Sequence, residues 1–302
     1  MKDPSAHHEL AAQIAALDEM SEGKGVTVGQ LETYAQAYGA DPTTNGHMDQ
    51  EYGWYLSRVE AQNHSLFANG TPDYNAVAQG NIGDCFLLSA VSGQARLHPD
   101  RVVSMISPQN GGSSYVVRFP GLADPVDVSA PTDAQMARYG TSGADGTWAS
   151  VLEKAYAVSR AGPDPEDPYA ALAQGGTVEG LQCMTGDRVA TARLDGSAHR
   201  AFGPFHGDKV DDDRQTVQEA LANGQLATVS TDGAAAGVTN DHMLTLEGYD
   251  PSTDCVTVRN PWGWEPGSDS VTDLGHGEFC LKFDEFDKTF HYVNYQVASP
   301  PS

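Results

Sequence analysis

The hydrophobic pattern of this chain changes period part-way along, and no other feature restricts the fold as much. Up to about residue 190, apolar residues recur three and four apart in short segments: Ile82 to Gly93 after a Gly-rich turn, and Thr147 to Ser159. Arg214 to Leu221 is a further helical segment, closed by Asn223-Gly224. Beyond it come short strand-like runs at Leu226 to Ser230, His242 to Tyr249, Val256 to Arg259, Gly277 to Phe283 and Tyr292 to Val297. A 3.6-residue period marks amphipathic helices, and short apolar runs bounded by turn residues mark strands. The pattern predicts an α+β fold, mainly helical first and antiparallel β second, with one early strand pair at Ser114 to Phe119 and Pro125 to Ser129. The Gly-, Pro- and Asp-rich stretch from about 187 to 212 reads as the connection.

The first 70 residues differ from the rest. His8 to Met20, Val28 to Tyr38 and Tyr52 to Gln62 have helical spacing, with polar loops between them. In the loop from Asp41 to Asp49, oxygen-bearing side chains (Asp41, Thr43, Asn45, Asp49) fall at positions 1, 3, 5 and 9 of a calcium loop. Gly46 stands at the sixth position and Met48 at the eighth, but the twelfth is Tyr52 where a bidentate Glu belongs. The loop therefore reads either as part of an EF-hand-like helix pair able to take Ca2+ or as a polar turn between two capped helices with no metal, and the first 70 residues as a whole read either as a calcium module or as a pro-segment or lid. The expected division is 1–70 helical region, 71–200 helical lobe and 201–302 β-rich lobe.

With 41 acidic against 17 basic residues, a net charge of −24, the surface is a poor match for nucleic acid, whose phosphates need clustered Lys and Arg. No apolar run reaches the ~18 residues of a membrane span, and Met1 to Leu10 lacks the apolar core of a signal peptide. A cytoplasmic chain, or one exported without a classical signal, is expected. The four cysteines (Cys85, Cys183, Cys255, Cys280) show no CxxC spacing, so reduced thiols are expected and no zinc site.

One of those thiols stands in a reactive context. In Gln79-Gly-Asn-Ile-Gly-Asp-Cys85-Phe-Leu-Leu-Ser-Ala90 a glycine-bearing turn leads into an apolar helix with the cysteine at its start. Free N–H groups and the dipole at a helix N-terminus favour the thiolate. Gln79, six residues earlier, can aim its amide N–H at the point served by the Cys85 backbone N–H, making an oxyanion site. A thiolate needs a base and the base an orienter. His242 opens a strand, Asn260 ends a later one, and Trp262 follows as an apolar cover for a His–Asn hydrogen bond. The order Cys, His, Asn matches the papain-like plan.

The sequence resembles the calpain-type cysteine protease core over about residues 72 to 298. QGNIGDCFLLSA is similar to that family's Q-G-x-x-G-D-C-W-L-L-x-A, with Phe86 where Trp is usual. Glu153 to Ala157 matches E-K-A-Y-A, and Arg259 to Gly263 matches R-N-P-W-G. Ala170 to Gly176 resembles E-A-L-x-G-G, Thr185-Gly186 resembles T-G-G, Asp241 to Leu246 resembles G-H-A-Y-x-V, and His276 to Cys280 resembles D-G-E-F-W. The resemblance implies a papain-like two-lobed core and a cysteine endopeptidase. It makes Cys85, His242 and Asn260 the triad, Gln79 the oxyanion donor, Trp262 the shield, and Gly83 and Gly176 cleft residues.

The departures concern calcium. His276 stands where the family has an acid and Ala76 where another is expected, while Glu179 and Glu278 remain. The resemblance implies no cofactor for the chemistry, leaves Ca2+ to regulation, and gives protein or peptide substrates to a monomer lacking the C-terminal modules of animal calpains. The competing readings are a Cys-His-Asn acyl transferase or deamidase, and a non-catalytic calcium-responsive binding protein on the same core.

Overall fold

The computed structural model describes Trp54 and residues 57–162, 167–194, 209–231, 238–264 and 270–297. Asp41, Thr43, Asn45 and Asp49 lie outside these, as do the two helices expected before them. Among the described residues no helix is long and apolar enough to cross a membrane.

The architecture is α+β. Helices α1 (Cys85–Leu97) and α2 (Pro99–Met105) come first, followed by strands β1 (Ile106–Gln109), β2 (Ser114–Val117) and β3 (Val126–Ser129). Helices α3 (Asp133–Arg138), α4 (Trp148–Ala161) and α5 (Glu179–Thr185) complete the helical part. Then come β4 (Arg188–Arg193), α6 (Lys209–Ala222), β5 (Ala227–Ser230), β6 (Met243–Asp250) and β7 (Cys255–Arg259). The last elements are β8 (Thr272–Gly275), β9 (Glu278–Lys282), α7 (Phe283–Thr289) and β10 (Tyr292–Val297).

α1 is the central helix of the first core, with every residue from Phe86 to Ala95 buried. It packs with Trp148, Val151 and Leu152 of α4 and Leu181 of α5. It ends at His98 (φ −143°, ψ 64°) because Pro99 disfavours helical backbone in the residue before it. α5 stops at Gly186, which takes the left-handed cap (φ 72°).

Strands β1, β2 and β3 form an antiparallel sheet in that order. The expected pair is β2 and β3; β1 was not foreseen, since Pro108 argues against a strand. Pro108 is tolerated because β1 lies at the edge of the sheet. The larger sheet has the order β4-β10-β5-β6-β7-β9-β8, with all neighbours antiparallel. Its core joins Val229, Leu244, Val258, Phe279 and Val293 to Phe283, Phe286 and Phe290 around α7. β4 corrects the reading of 187–212 as connection: residues 188–193 pair along their whole length with β10. Their mixed polar sequence (RVATAR) fits an edge strand with mostly exposed or half-buried positions.

The expectation of reduced thiols fails at one pair. Cys255 on β7 and Cys280 on β9 are joined by a disulfide, with Cα atoms 5.8 Å apart. The register sets Cys280 opposite Thr257, so Cys255 is its same-face diagonal neighbour. That proximity exists only once β7 and β9 are paired, and sequence spacing does not reveal it. Cys85 and Cys183 are free.

α1 is seated on β6. Ser89 Oγ donates to the Met243 carbonyl and Thr245 Oγ1 to the Ser89 carbonyl, each at 2.8 Å. These bonds bring the start of α1 to the start of β6.

Candidate active site

Cys85 is the first residue of α1 and half-buried. The preceding turn needs Gly83, because a Cβ there would stand 2.6 Å from the Ala173 carbonyl oxygen. The Cys85 thiol lies against the backbone N–H of Met243, the residue after His242. The sequence argument expects a thiolate favoured by the helix end; burial outweighs that effect and pushes the Cys85 thiol up to about 11. In the free protein the sulfur is therefore a neutral thiol at pH 7.

His242 is buried just ahead of β6. Its backbone is clasped by Thr231, whose Oγ1 accepts the His242 N–H at 3.1 Å and whose N–H donates to the His242 carbonyl at 3.0 Å. Nε2 of the ring lies 2.9 Å from Asn260 Oδ1. Since Oδ1 only accepts, Nε2 carries the hydrogen and Nδ1 is left as the acceptor. Burial holds the imidazole down at about 4, opposed by the Asn260 hydrogen bond. A neutral thiol and a neutral imidazole are the resting pair.

Asn260 follows β7, the strand directly paired with β6. Its Oδ1 also accepts the Trp262 N–H at 3.1 Å, and its own N–H donates to the Gly277 carbonyl at 2.9 Å. Gly277 is irreplaceable here: φ is +81°, and a Cβ would stand 2.7 Å from the Asn260 carbonyl oxygen. The Trp262 ring stacks on His242 with centroids 4.3 Å apart, and Trp264, half exposed, stacks on Trp262 at 4.9 Å. Water is thereby kept from the imidazole edge that meets Asn260.

Gln79 is anchored through its backbone N–H to the Pro261 carbonyl at 2.7 Å. One hydrogen of its Nε2 goes to the Ile82 carbonyl at 2.6 Å, which fixes the amide plane beside the nucleophile turn. Gly176 stands against Glu179, where a Cβ would meet Oε1 at 3.1 Å. The structure thus gathers Cys85, His242, Asn260, Gln79 and Trp262 around the junction of α1 with β6 and β7.

Sequence reasoning missed three supports. Thr231 carries no local signal. Gly277 announces itself only as a glycine between two strands. Arg259 was counted within R-N-P-W-G without a role of its own. It is fully buried, and its guanidinium donates to Ser92 Oγ, Asn75 O and Val77 O.

Among the described residues no group of three or more His, Cys, Asp or Glu side chains is placed to hold a metal ion. Glu179 is ion-paired with Arg160, and Glu278 lies against Tyr74 and Glu247. These two remaining acids do not present a vacant cation cage.

A cysteine at a helix start beside the strand that follows a histidine, with an asparagine hydrogen-bonded to that histidine, is the arrangement of the papain-like plan. The calpain family cysteine protease model matches residues 36–295, and the chain belongs to that family. Relatives include Calpain-9 of Rattus norvegicus (25% identical over 269 residues, covering 74% of this chain and 36% of the relative). Calpain clp-1 of Caenorhabditis elegans is 27% identical over 264 residues, covering 74% and 32%. The Calpain-1 catalytic subunit of Sus scrofa is 25% identical over 255 residues, covering 71% and 34%. The chain spans about a third of the length of these curated relatives.

Proposed function

We propose that the chain is a cysteine endopeptidase that hydrolyses protein or peptide substrates through a thioester acyl-enzyme, with Cys85, His242 and Asn260 as its triad. The observation that carries this reading is the His242–Asn260 hydrogen bond of 2.9 Å under Trp262, on the strand whose Met243 amide meets the Cys85 thiol.

His242 Nδ1 takes the Cys85 proton as the sulfur attacks the substrate carbonyl carbon. The electron pair of the C=O moves to oxygen, and the Cys85 N–H and the second Nε2 hydrogen of Gln79 receive that oxyanion. Such a donor typically contributes ~3 kcal/mol to lowering the barrier. The imidazolium then protonates the departing amine, the C–N bond breaks, and the thioester remains. Water, deprotonated by His242, attacks the thioester; the C–S bond breaks, the sulfur recovers the proton, and a carboxylic acid leaves. Starting from a neutral pair, proton transfer accompanies attack.

A peptidyl epoxide, with mass spectrometry of the adduct in calcium and in chelator, tests the reading. Adduct on Cys85 in both conditions, with new N-termini in a cleaved protein substrate that Cys85→Ala does not produce, is the expected result. Adduct without new N-termini moves the chain to acyl transfer or deamidation. No selective adduct rejects Cys85 as a nucleophile.

A further inference from the structure

Beneath the candidate nucleophile two carboxyl groups face each other out of reach of solvent. Asp84 stands at the N-cap position of α1 without a capping bond from its side chain, Glu153 belongs to α4, and both residues are 0% exposed. Their carboxyls are within hydrogen-bonding reach of one another, and Asp84 is also within reach of the Gln79 amide. The donors around them are few. Glu153 takes the Gly140 N–H on both oxygens, each at 2.9 Å. Gln79 Nε2 gives one hydrogen to Ile82. Both Asp84 oxygens and Gln79 Oε1 are buried with no donor among the described residues.

The remaining groups on the surrounding elements do not supply one. Arg58, whose charge bears on Glu153, donates to the Ala78, Gln79, Met136 and Tyr139 carbonyls. The Tyr139 hydroxyl donates to Asp167, and neither Asp84 oxygen takes a hydrogen from Tyr169. A nest of buried acceptors needs a hydrogen, and a carboxyl group can supply its own when protonated.

We propose that Asp84 and Glu153 share one proton, with Asp84 the neutral acid donating to Glu153. The pair is then a positioning element that fixes the first turn of α1 without setting a negative charge against Cys85. The positioning role rests on the proposed acyl-transfer chemistry; the shared proton does not. Two carboxylates this close in a dry site do not both ionise. Burial raises both groups, Asp84 well above the usual carboxylate range. The sign of the effect follows from the neighbour: negative charge on Asp84 raises the Cys85 thiol further. Loss of the shared proton at alkaline pH therefore opposes thiolate formation.

Infrared spectra of the full chain and of Asp84→Asn at pH 7 test the shared proton. Beyond the band of Glu247, which Glu247→Gln identifies, a second protonated-carboxyl band is expected in the wild type, absent in Asp84→Asn, and shifted in Glu153→Gln, where the acid loses its carboxylate partner. The absence of that second band, or a second band unmoved in Glu153→Gln, overturns the proposal even if Asp84→Asn does not fold. The rate of Cys85 alkylation by iodoacetamide against pH tests the positioning. Asp84→Asn retains a donor toward Glu153, so its rate stays within about threefold of wild type at neutral pH, whereas Asp84→Ala loses about tenfold. Above the pH at which the wild-type rate flattens, that of Asp84→Asn keeps climbing; parallel profiles overturn the positioning role. If wild-type Cys85 is not selectively alkylated, the nucleophile assignment fails while the infrared bands still decide the pair.

Discussion

Nη2 of Arg259 lies 2.7 Å from the carbonyl oxygen of Val77, across the junction between the β-rich and helical parts of the molecule. The same guanidinium reaches Asn75 O and Ser92 Oγ, and the carboxyl groups of Glu247 and Glu278 bear on it. A planar fork spreads its donors over fixed, separated positions, whereas an ammonium presents its three hydrogens from a single atom. Truncating one member of a buried charge group costs ~3–5 kcal/mol. Arg259→Met is expected to lose that much in urea unfolding, and Arg259→Lys to recover only part. Near-wild-type stability of Arg259→Met would show that this crossing is not what ties the two parts together.

Asn260 fixes the tautomer of His242 and is itself fixed by Gly277 and Trp262. Misplacing a reacting group by about 1 Å costs on the order of 100-fold in rate. Asn260→Ala should lower kcat/KM on a peptide substrate by that order with little change in KM. Cys85→Ser should abolish cleavage and leave Tm unchanged. Cleavage by Cys85→Ser at the wild-type rate would remove Cys85 from the mechanism.

Two buried groups shape the dependence of stability on pH. Burial lowers His242 from its ordinary 6.5 to about 4. Between those values the unfolded chain takes up a proton that the folded chain refuses, so stability present above 6.5 is lost as pH falls toward 4. Glu247 is raised from 4.5 to about 8, first by burial and then by the charge of Glu278. The folded chain holds a proton there that the unfolded chain has released, so stability present below 4.5 declines as pH rises through 8. Urea midpoints from pH 4 to 9 should fall at both ends. Glu247→Gln should lessen the alkaline slope alone and leave the part that belongs to the Asp84–Glu153 proton; an unchanged alkaline slope would assign the whole loss to other groups.

The Cys255–Cys280 bridge closes a 25-residue separation between neighbouring strands. A loop of that order contributes ~3 kcal/mol by restricting the unfolded chain. Reductant should lower Tm, Cys255→Ser should lower it equally, and the variant should no longer respond to reductant. A wild-type Tm indifferent to reductant would argue that the two thiols are unpaired in solution.

Much of this arrangement can be read from residue order, because the signals are local. An apolar run after Gly83 gives α1, the run around Trp148 gives α4, and Tyr292 to Val297 is the full extent of β10. Cys85, His242 and Asn260 stand out because each begins or follows an element, and element ends are what sequence pattern marks. What pattern does not carry is partnership across the chain. Glu153 reads as one more polar position of a helix until α4 is packed under the start of α1. Cys255 and Cys280 look unrelated until β7 and β9 are in register. β1 is hidden by Pro108 and β4 by its polar residues, since both are edge strands and edges need not look like cores. The charge on Cys85 went the other way from the helix-end argument, because burial is a property of the packed chain.

The column of rings that runs from His242 through Trp262 to Trp264 also has an optical side. The chain has four tryptophans, and two of them are in this column. A protonated imidazole quenches a stacked indole, while a neutral one does so far less. Each arrival of a proton on His242 is thus written into the emission of Trp262. Half-exposed Trp264 adds a second signal that responds to whatever covers the rim. The candidate site carries its own fluorophore, and on the proposed chemistry stopped-flow emission follows the histidine without a label.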